Sequence, residues 1–441
     1  MKLLIRSLLV INCLVIAFAL AWRGKPEASS KATPAASPPS SSKVLEALPE
    51  LDLLQPMSKA YHLAVSKTQA SPKIARNWTE LGEILAQLQR DSGDSTLLSH
   101  AESVYHEALQ LDPKNVTALT GMAWVTGGYH RFDESVRWAN QALVIDPDCN
   151  AAFGILGDAA LELGDYDAAF DHYQKMMDLR PDLSSWSRGA HLLWITGKTY
   201  QAISLMEKAI RAGAPYAENT AWCRARLATM LFCQGALLPA EMVIQEPLKS
   251  GTKNVHILLI AAKIAAAKQE PDRARDFYQK ILEVRPNLEA LAGLGDLMAI
   301  QNKPDDAEKF YQQVEALHAA NLKLSHHDHS FMARFYADRN RNLPEALRMA
   351  EEHKLTKNVT EADTLAWVYF KSGLLPQAID AMKRALAQNT PDPEFHYHAA
   401  LIAQAYGDQE SSQKHFAQVA AMNPSFNLLQ IVSAAIPASQ P

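Results

Sequence analysis

Glycine is scarce, at 18 of 441 residues. That disfavours a turn-rich all-β protein and the glycine-rich loops that cradle phosphates. Cysteine is scarcer still, at four. Cys13 lies in an N-terminal apolar run, and Cys149, Cys223 and Cys233 form no framework, so the fold does not depend on disulfides. Neither sign of charge dominates: 43 basic and 48 acidic residues leave a formal charge of −5. Basic residues are scattered without interleaved aromatics, which excludes an electrostatic footprint for nucleic acid. No Walker loop, G-x-G-x-x-G, G-x-S-x-G or H-E-x-x-H occurs, so no enzyme class and no cofactor is indicated. What remains is a chain that is 48% hydrophobic and 21% charged, able to bury a core over most of its length.

The N-terminus reads as a targeting segment. Lys2 and Arg6 precede the apolar run from Ser7 to Ala21, which ends in small residues. That pattern describes a secretory signal, with Ala17, Ala19 and Ala21 as candidate cleavage-site residues. Counting Leu3 to Trp22, the run approaches the ~20 residues that cross a bilayer. Residues 1–22 are therefore expected to be a cleaved signal or an uncleaved anchor, with a membrane tether through residues 3–22 in the second case. Cleavage would remove Lys2 and Arg6 and take the charge from −5 to −7. Residues 23–43, rich in Pro, Ala and Ser, are expected to form a disordered spacer. Together these features place the folded part outside the cytoplasm, periplasmic, secreted or membrane-anchored.

A period near 34 residues runs through the rest. Small residues recur at Ala101, Ser135, Ala169, Ala202, Ala240, Ala274, Ala307, Ala346, Ala378 and Ser412, with gaps of 34, 34, 33, 38, 34, 33, 39, 32 and 34. A medium or large residue often follows at four positions on, as at Tyr105, Tyr173, Tyr278 and Tyr311. Pro113, Pro147, Pro181, Pro286 and Pro424 close several units, because proline cannot continue a helix. An earlier stripe accompanies each small residue, for example Trp78, Leu81, Gly82 and Leu85. Spacing by three and four puts such residues on one helical face. Its glycine or alanine admits a second helix at close range.

This pattern, W-x2-L-G-x2-Y…A-x3-F…A…P, resembles the tetratricopeptide repeat family. The cleanest match is FGILGDAALELGDYDAAFDHYQKMMDLRP, Phe153 to Pro181. The resemblance implies an all-α right-handed solenoid of about ten helix-turn-helix repeats over residues 74–424. Residues 44–73 are expected to cap its N-terminus, and residues 425–441 to supply a C-terminal cap helix, Asn427 to Ile436, and a tail. Two units depart from the pattern. That around Ala240 carries Arg224 at its first stripe position and Pro247 near its end, and that around Ala346 is degenerate. The superhelix is expected to bend or loosen there.

The resemblance also implies a non-enzymatic scaffold binding other proteins on the concave surface, which first-helix residues line. By register these include Trp124, Asp158, Glu162, His191, Trp194, Phe232, Lys263, Phe335, Trp367, Lys371 and Tyr397. Rings and neighbouring charges suit an extended peptide. Packing between repeats is the competing reading for Trp124, Trp194 and Trp367. The family's carboxylate clamp is not supported, because its Asn position reads Trp124, Asp158 and His191. The other functional readings are a structural subunit of an envelope-biogenesis or polysaccharide-export assembly, and a ligand receptor or enzyme on the concave face. His326, His327, Asp328 and His329 are the densest ligand-like group. Adjacent residues rarely converge on one ion, so they read as a solvated loop and helix start, and no metal site is assigned. Asn77, Asn115 and Asn358 open N-x-T sequons, which matter only in a host that glycosylates.

Overall fold

The 3.6-residue periodicity of each unit produces two amphipathic helices that bury their stripes against one another. The computed structural model describes residues 41–50, 57–94, 96–215, 217–323 and 329–426. All regular structure among the described residues is helical. Contacts divide the chain into two units, Met1–Lys43 and Val44–Pro441. The second contains the repeats.

Ten helix pairs follow one another. Repeat 1 joins Ala75–Ser92 to Thr96–Leu111, repeat 2 Val116–Gly128 to Phe132–Ile145, and repeat 3 Asn150–Glu162 to Tyr166–Leu179. Repeat 4 joins Leu183–Ile195 to Thr199–Ala212, repeat 5 Glu218–Cys233 to Leu237–Lys249, and repeat 6 Val255–Ala267 to Pro271–Val284. Repeat 7 joins Leu288–Ile300 to Pro304–Lys323 and repeat 8 His329–Asp338 to Leu343–Glu351. Repeat 9 joins Val359–Lys371 to Leu375–Ala385, and repeat 10 Pro393–Tyr406 to Gln409–Met422. Two shorter helices, Ser41–Glu46 and Ser58–Ala70, precede them, and the second packs on repeat 1. The expected cap helix over Asn427 to Ile436 and the signal segment lie outside the described residues. No helix among the described residues is long and apolar enough to cross a membrane.

The ten small residues of the period are all buried, none more than 2% exposed. Close packing depends on the glycines that precede them. A Cβ on Gly157 would stand 2.3 Å from the Tyr173 ring, and one on Gly295 2.4 Å from the Tyr311 ring. Asn or Asp caps open most first helices: Asn115, Asn254, Asn287 and Asn358 each accept from the helix's own backbone N–H groups. Such caps satisfy amides that have no partner within the helix.

The departure in repeat 5 has a local explanation. Pro247 sits inside the second helix and has no N–H for the Val243 carbonyl four residues back. Arg224, the unexpected residue on the first helix, donates to that carbonyl at 3.0 Å and pairs with Glu246 at 3.1 Å. The two anomalies therefore compensate each other.

The array returns on itself. Asn358 Nδ2 donates to the Glu162 carbonyl at 3.2 Å, and the Val359 N–H donates to the Tyr166 hydroxyl at 2.9 Å. Thr390 donates to the Ile195 carbonyl at 2.6 Å, and Asn423 to the Phe232 carbonyl at 2.9 Å. Arg285 donates to the Gly93 carbonyl. Each bond joins residues at or beside the turn between the two helices of one repeat to the chain six repeats later, so one superhelical turn takes six repeats.

Candidate functional site

The first helices of repeats 1–5 line a groove of about 780 Å³. Repeat 1 contributes Glu83 and Arg90, repeat 2 Thr120 and Trp124, and repeat 4 Arg188. Trp124 is half-buried, and its ring carries the Arg90 guanidinium 5.3 Å from its centroid. That arrangement offers an aromatic face with one cation already upon it. Burial pushes the Glu83 carboxyl up, and Glu80 adds to the shift.

Asp158 is half-buried and engaged. Tyr173 donates to it at 2.8 Å, and Arg188 of the next repeat grips it through Nε at 2.8 Å and Nη2 at 2.9 Å. The same triad recurs in repeat 7, where Asp296 accepts from Tyr311 at 2.9 Å and from Arg339 Nη2 at 2.6 Å. The Asp-to-Tyr spacing of 15 residues is identical in both. Register placed Asp158 on this face, but no spacing marked Arg188 or Arg339, which stand 30 and 43 residues from their aspartates.

Five residues expected on the concave face are buried instead: Trp194, Phe232, Phe335, Trp367 and Tyr397. Trp367 is 1% exposed, stacks on His398 of the next repeat with centroids 4.1 Å apart, and donates to Asp338 of the preceding one at 2.8 Å. Phe335 is covered by Tyr311, Phe331 and the Arg339 guanidinium. Tyr397 meets Phe416 and Phe426 edge-on. Trp194 and Phe232 join the main core cluster. Large rings bury large apolar areas, and adjacent repeats present other rings to receive them. Packing between repeats is thus their observed role.

The other expected residues keep access to solvent. His191 is half-buried, and its Nδ1 faces Arg226 Nη2 at 2.9 Å. A guanidinium only donates, so Nδ1 accepts and the proton resides on Nε2. Burial, then Arg226, holds this imidazole well below its usual pKa. Lys263 is exposed, and Lys371 lies with its ammonium 5.2 Å from the Trp367 ring centroid.

Glu162 is exposed and lines a larger cavity of about 2080 Å³ between successive turns. Tyr129, His130 and Glu162 stand on one side, and Glu289, His353 and Glu361 on the other. Desolvation by the surrounding cavity walls raises the Glu162 pKa, followed by repulsion from Glu361 across the gap and from Asp158.

Buried Asp363 and His398 and half-buried Arg334, which sequence reasoning did not join, form a cluster in repeats 8–10. Asp363 accepts from Arg334 at 3.0 Å and pairs with His398 Nδ1 at 3.0 Å, and Arg334 also meets Glu394 at 2.8 Å. Their positions in consecutive first helices carry no local motif.

His329 pairs with Glu352 at 2.7 Å. His326, His327 and Asp328 lie outside the described residues. The described residues contain no group of three or more metal-ligating side chains. The sequon amides serve the fold: Asn77 donates to the Ser71 carbonyl at 3.2 Å, Asn115 to Thr79 at 3.1 Å and Asn358 to Glu162.

Comparison with known proteins agrees with this architecture. The tetratricopeptide repeat profile matches residues 130–184, 256–321 and 364–425. Together with ten buried helix pairs in register, this identifies the chain as a member of the tetratricopeptide repeat family. Proteins of this family generally mediate protein–protein interactions. Among solved structures, a tetratricopeptide repeat protein from Parabacteroides merdae is 20% identical, with a TM-score of 0.40, covering 57% of this chain and 90% of that one. PilF of Pseudomonas aeruginosa is 20% identical with a TM-score of 0.36, covering 52% and 96%. PilW, a widely conserved type IV pilus biogenesis factor, is 13% identical with a TM-score of 0.39, covering 46% and 92%. At these scores the likenesses carry no argument about function.

Proposed function

We propose that this protein is a non-enzymatic scaffold that docks an extended segment of a partner protein in the groove of repeats 1–5, outside the cytoplasm. The groove lined by half-buried Trp124 carries the reading. A ring with a cation on one side supplies contact area and a charged neighbour, which suits a peptide better than a small rigid ligand. The location rests on the charged start and apolar run of residues 1–22.

The test is affinity capture from native membrane and soluble fractions with partner identification, repeated with Trp124→Ala. Loss of a captured partner, with unchanged helicity and melting, is expected. Trp367→Ala is unsuitable because that ring is core. If every partner survives in a folded Trp124→Ala protein, groove docking is wrong. N-terminal sequencing of the native protein settles whether residues 1–22 are removed.

A further inference from the structure

The contacts between turns follow one rule. A helix leaves its last carbonyls without internal partners. Here the carbonyls of Glu162 and Ile195, at the ends of two first helices, receive side-chain donors from one superhelical turn away, Asn358 and Thr390. The Phe232 carbonyl, which also accepts from the Gly235 N–H at 2.9 Å, receives Asn423 in addition. The Gly93 carbonyl receives Arg285 in the same way. Thr390 and Asn423 are buried in these contacts.

The sequence is adapted to the approach. In repeats 1, 3, 4 and 5 the turn after the first helix contains a left-handed glycine: Gly93, Gly164, Gly197 and Gly235. A Cβ on Gly164 would stand 2.3 Å from the Lys357 carbonyl carbon. Cβ atoms on Gly197 and Gly235 would each stand 2.9 Å from a backbone oxygen, of Asn389 and Met422. Repeat 2 holds His130 in the same left-handed conformation, where the larger cavity separates the turns. Repeats 6, 7 and 8 meet no later turn among the described residues and hold Gln269, Asn302 and Asn340 in it. Gly373 and Gly407, in repeats 9 and 10, meet nothing within 4 Å, so conformation alone accounts for them.

We propose that this seam is a latch, held shut by the polar caps of Asn358, Thr390 and Asn423, whose opening admits an extended polypeptide to the inner face. Hydrogen bonds exchange for water at small net cost, whereas apolar packing does not, so the seam is the reversible part of the array. The nature of the entering segment rests on the groove reading above. The latch itself does not.

Two experiments on the full chain test it. Both read Cys233, which is buried one residue beyond the Phe232 carbonyl that Asn423 reaches. Buried Cys223, earlier on the same helix, is the internal control. Thr390→Val with Asn423→Ala is expected to speed labelling of Cys233 by a PEG-maleimide about tenfold, with Cys223 unchanged. In the second, Gly197→Ala places a methyl 2.9 Å from the Asn389 carbonyl oxygen and should wedge the seam, whereas Gly407→Ala carries the same left-handed strain with nothing to meet. Faster labelling of Cys233 is expected in Gly197→Ala and not in Gly407→Ala. Equal acceleration at both thiols, no acceleration, or equal rates in the two alanine variants would overturn the latch. None of these arms contains a partner, so their failure leaves groove docking standing.

Discussion

Asp363 ties three repeats together, and its removal is the sharpest test of how the C-terminal half is held. The side chain is fully buried on the first helix of repeat 9, bonded to Arg334 of repeat 8 and His398 of repeat 10. Burial pushes its pKa up, but His398 and Arg334 more than offset this, so the carboxyl titrates below its ordinary value. The stabilisation is therefore present above the unfolded carboxyl pKa and is lost as pH falls through the lower folded value. Removing one partner of a buried ion pair costs about 3–5 kcal/mol. Arg334 retains Glu394 at 2.8 Å, which places Asp363→Ala near the lower end. Asp363→Asn keeps one acceptor and should cost roughly half as much. Repeat arrays are stabilised by nearest-neighbour interfaces, so the loss should be local. Hydrogen exchange by mass spectrometry in urea should show residues 359–422 opening before repeats 1 and 2. A single uniform transition, shifted by less than about 1 kcal/mol, would refute the reasoning. Replacing Arg334, Asp363, His398 and Glu394 together, as Arg334→Met, Asp363→Leu, His398→Phe and Glu394→Gln, should restore most of the stability, because the desolvation penalty falls with the charges.

Arg224→Met should destabilise by about 1–2 kcal/mol by leaving the Val243 carbonyl without a donor. Pro247→Ala should recover part of that loss, and a double-mutant cycle in urea that shows simple additivity would disprove the compensation. Gly157→Ala places a methyl against the Tyr173 ring and should cost about 1–3 kcal/mol, read as a lower calorimetric melting temperature. An unchanged melting temperature would mean the ring yields freely. His396 stacks on His415 with their Nδ1 atoms 3.0 Å apart, and burial followed by His415 lowers its pKa to about 4. The unfolded chain then binds more protons between about pH 6.5 and 4, so stability falls as pH drops through that window. With allowance for its partial solvent access, the loss is about 1–2 kcal/mol. His396→Phe should flatten the pH dependence of repeat 10 protection, and an unaltered profile would assign it elsewhere.

The helix pairs were legible because their determinants are local. Ala169, Gly157 and Tyr173 lie within one unit, and their spacing dictates which faces meet. The groove was legible in part. Trp124 stands at its wall as its register implies, and Asp158 grips Arg188, which lines it. Trp367 and Phe335 occupy comparable register positions but are buried, because the rings and cations that cover them belong to other repeats. No single unit records those neighbours. Arg224 read as an irregularity until the structure placed it against the carbonyl left open by Pro247.

The 34-residue period alone determined the fold family, the number of units and the small residues at their cores, since each is set by contacts a few residues apart. The closing of the turn after six repeats was decided only in three dimensions. It follows from small rotations summed over six interfaces, and no rotation is written in any one unit. Only that sum brings Asn358 to Glu162, Thr390 to Ile195 and Asn423 to Phe232, across 191 to 196 residues of chain.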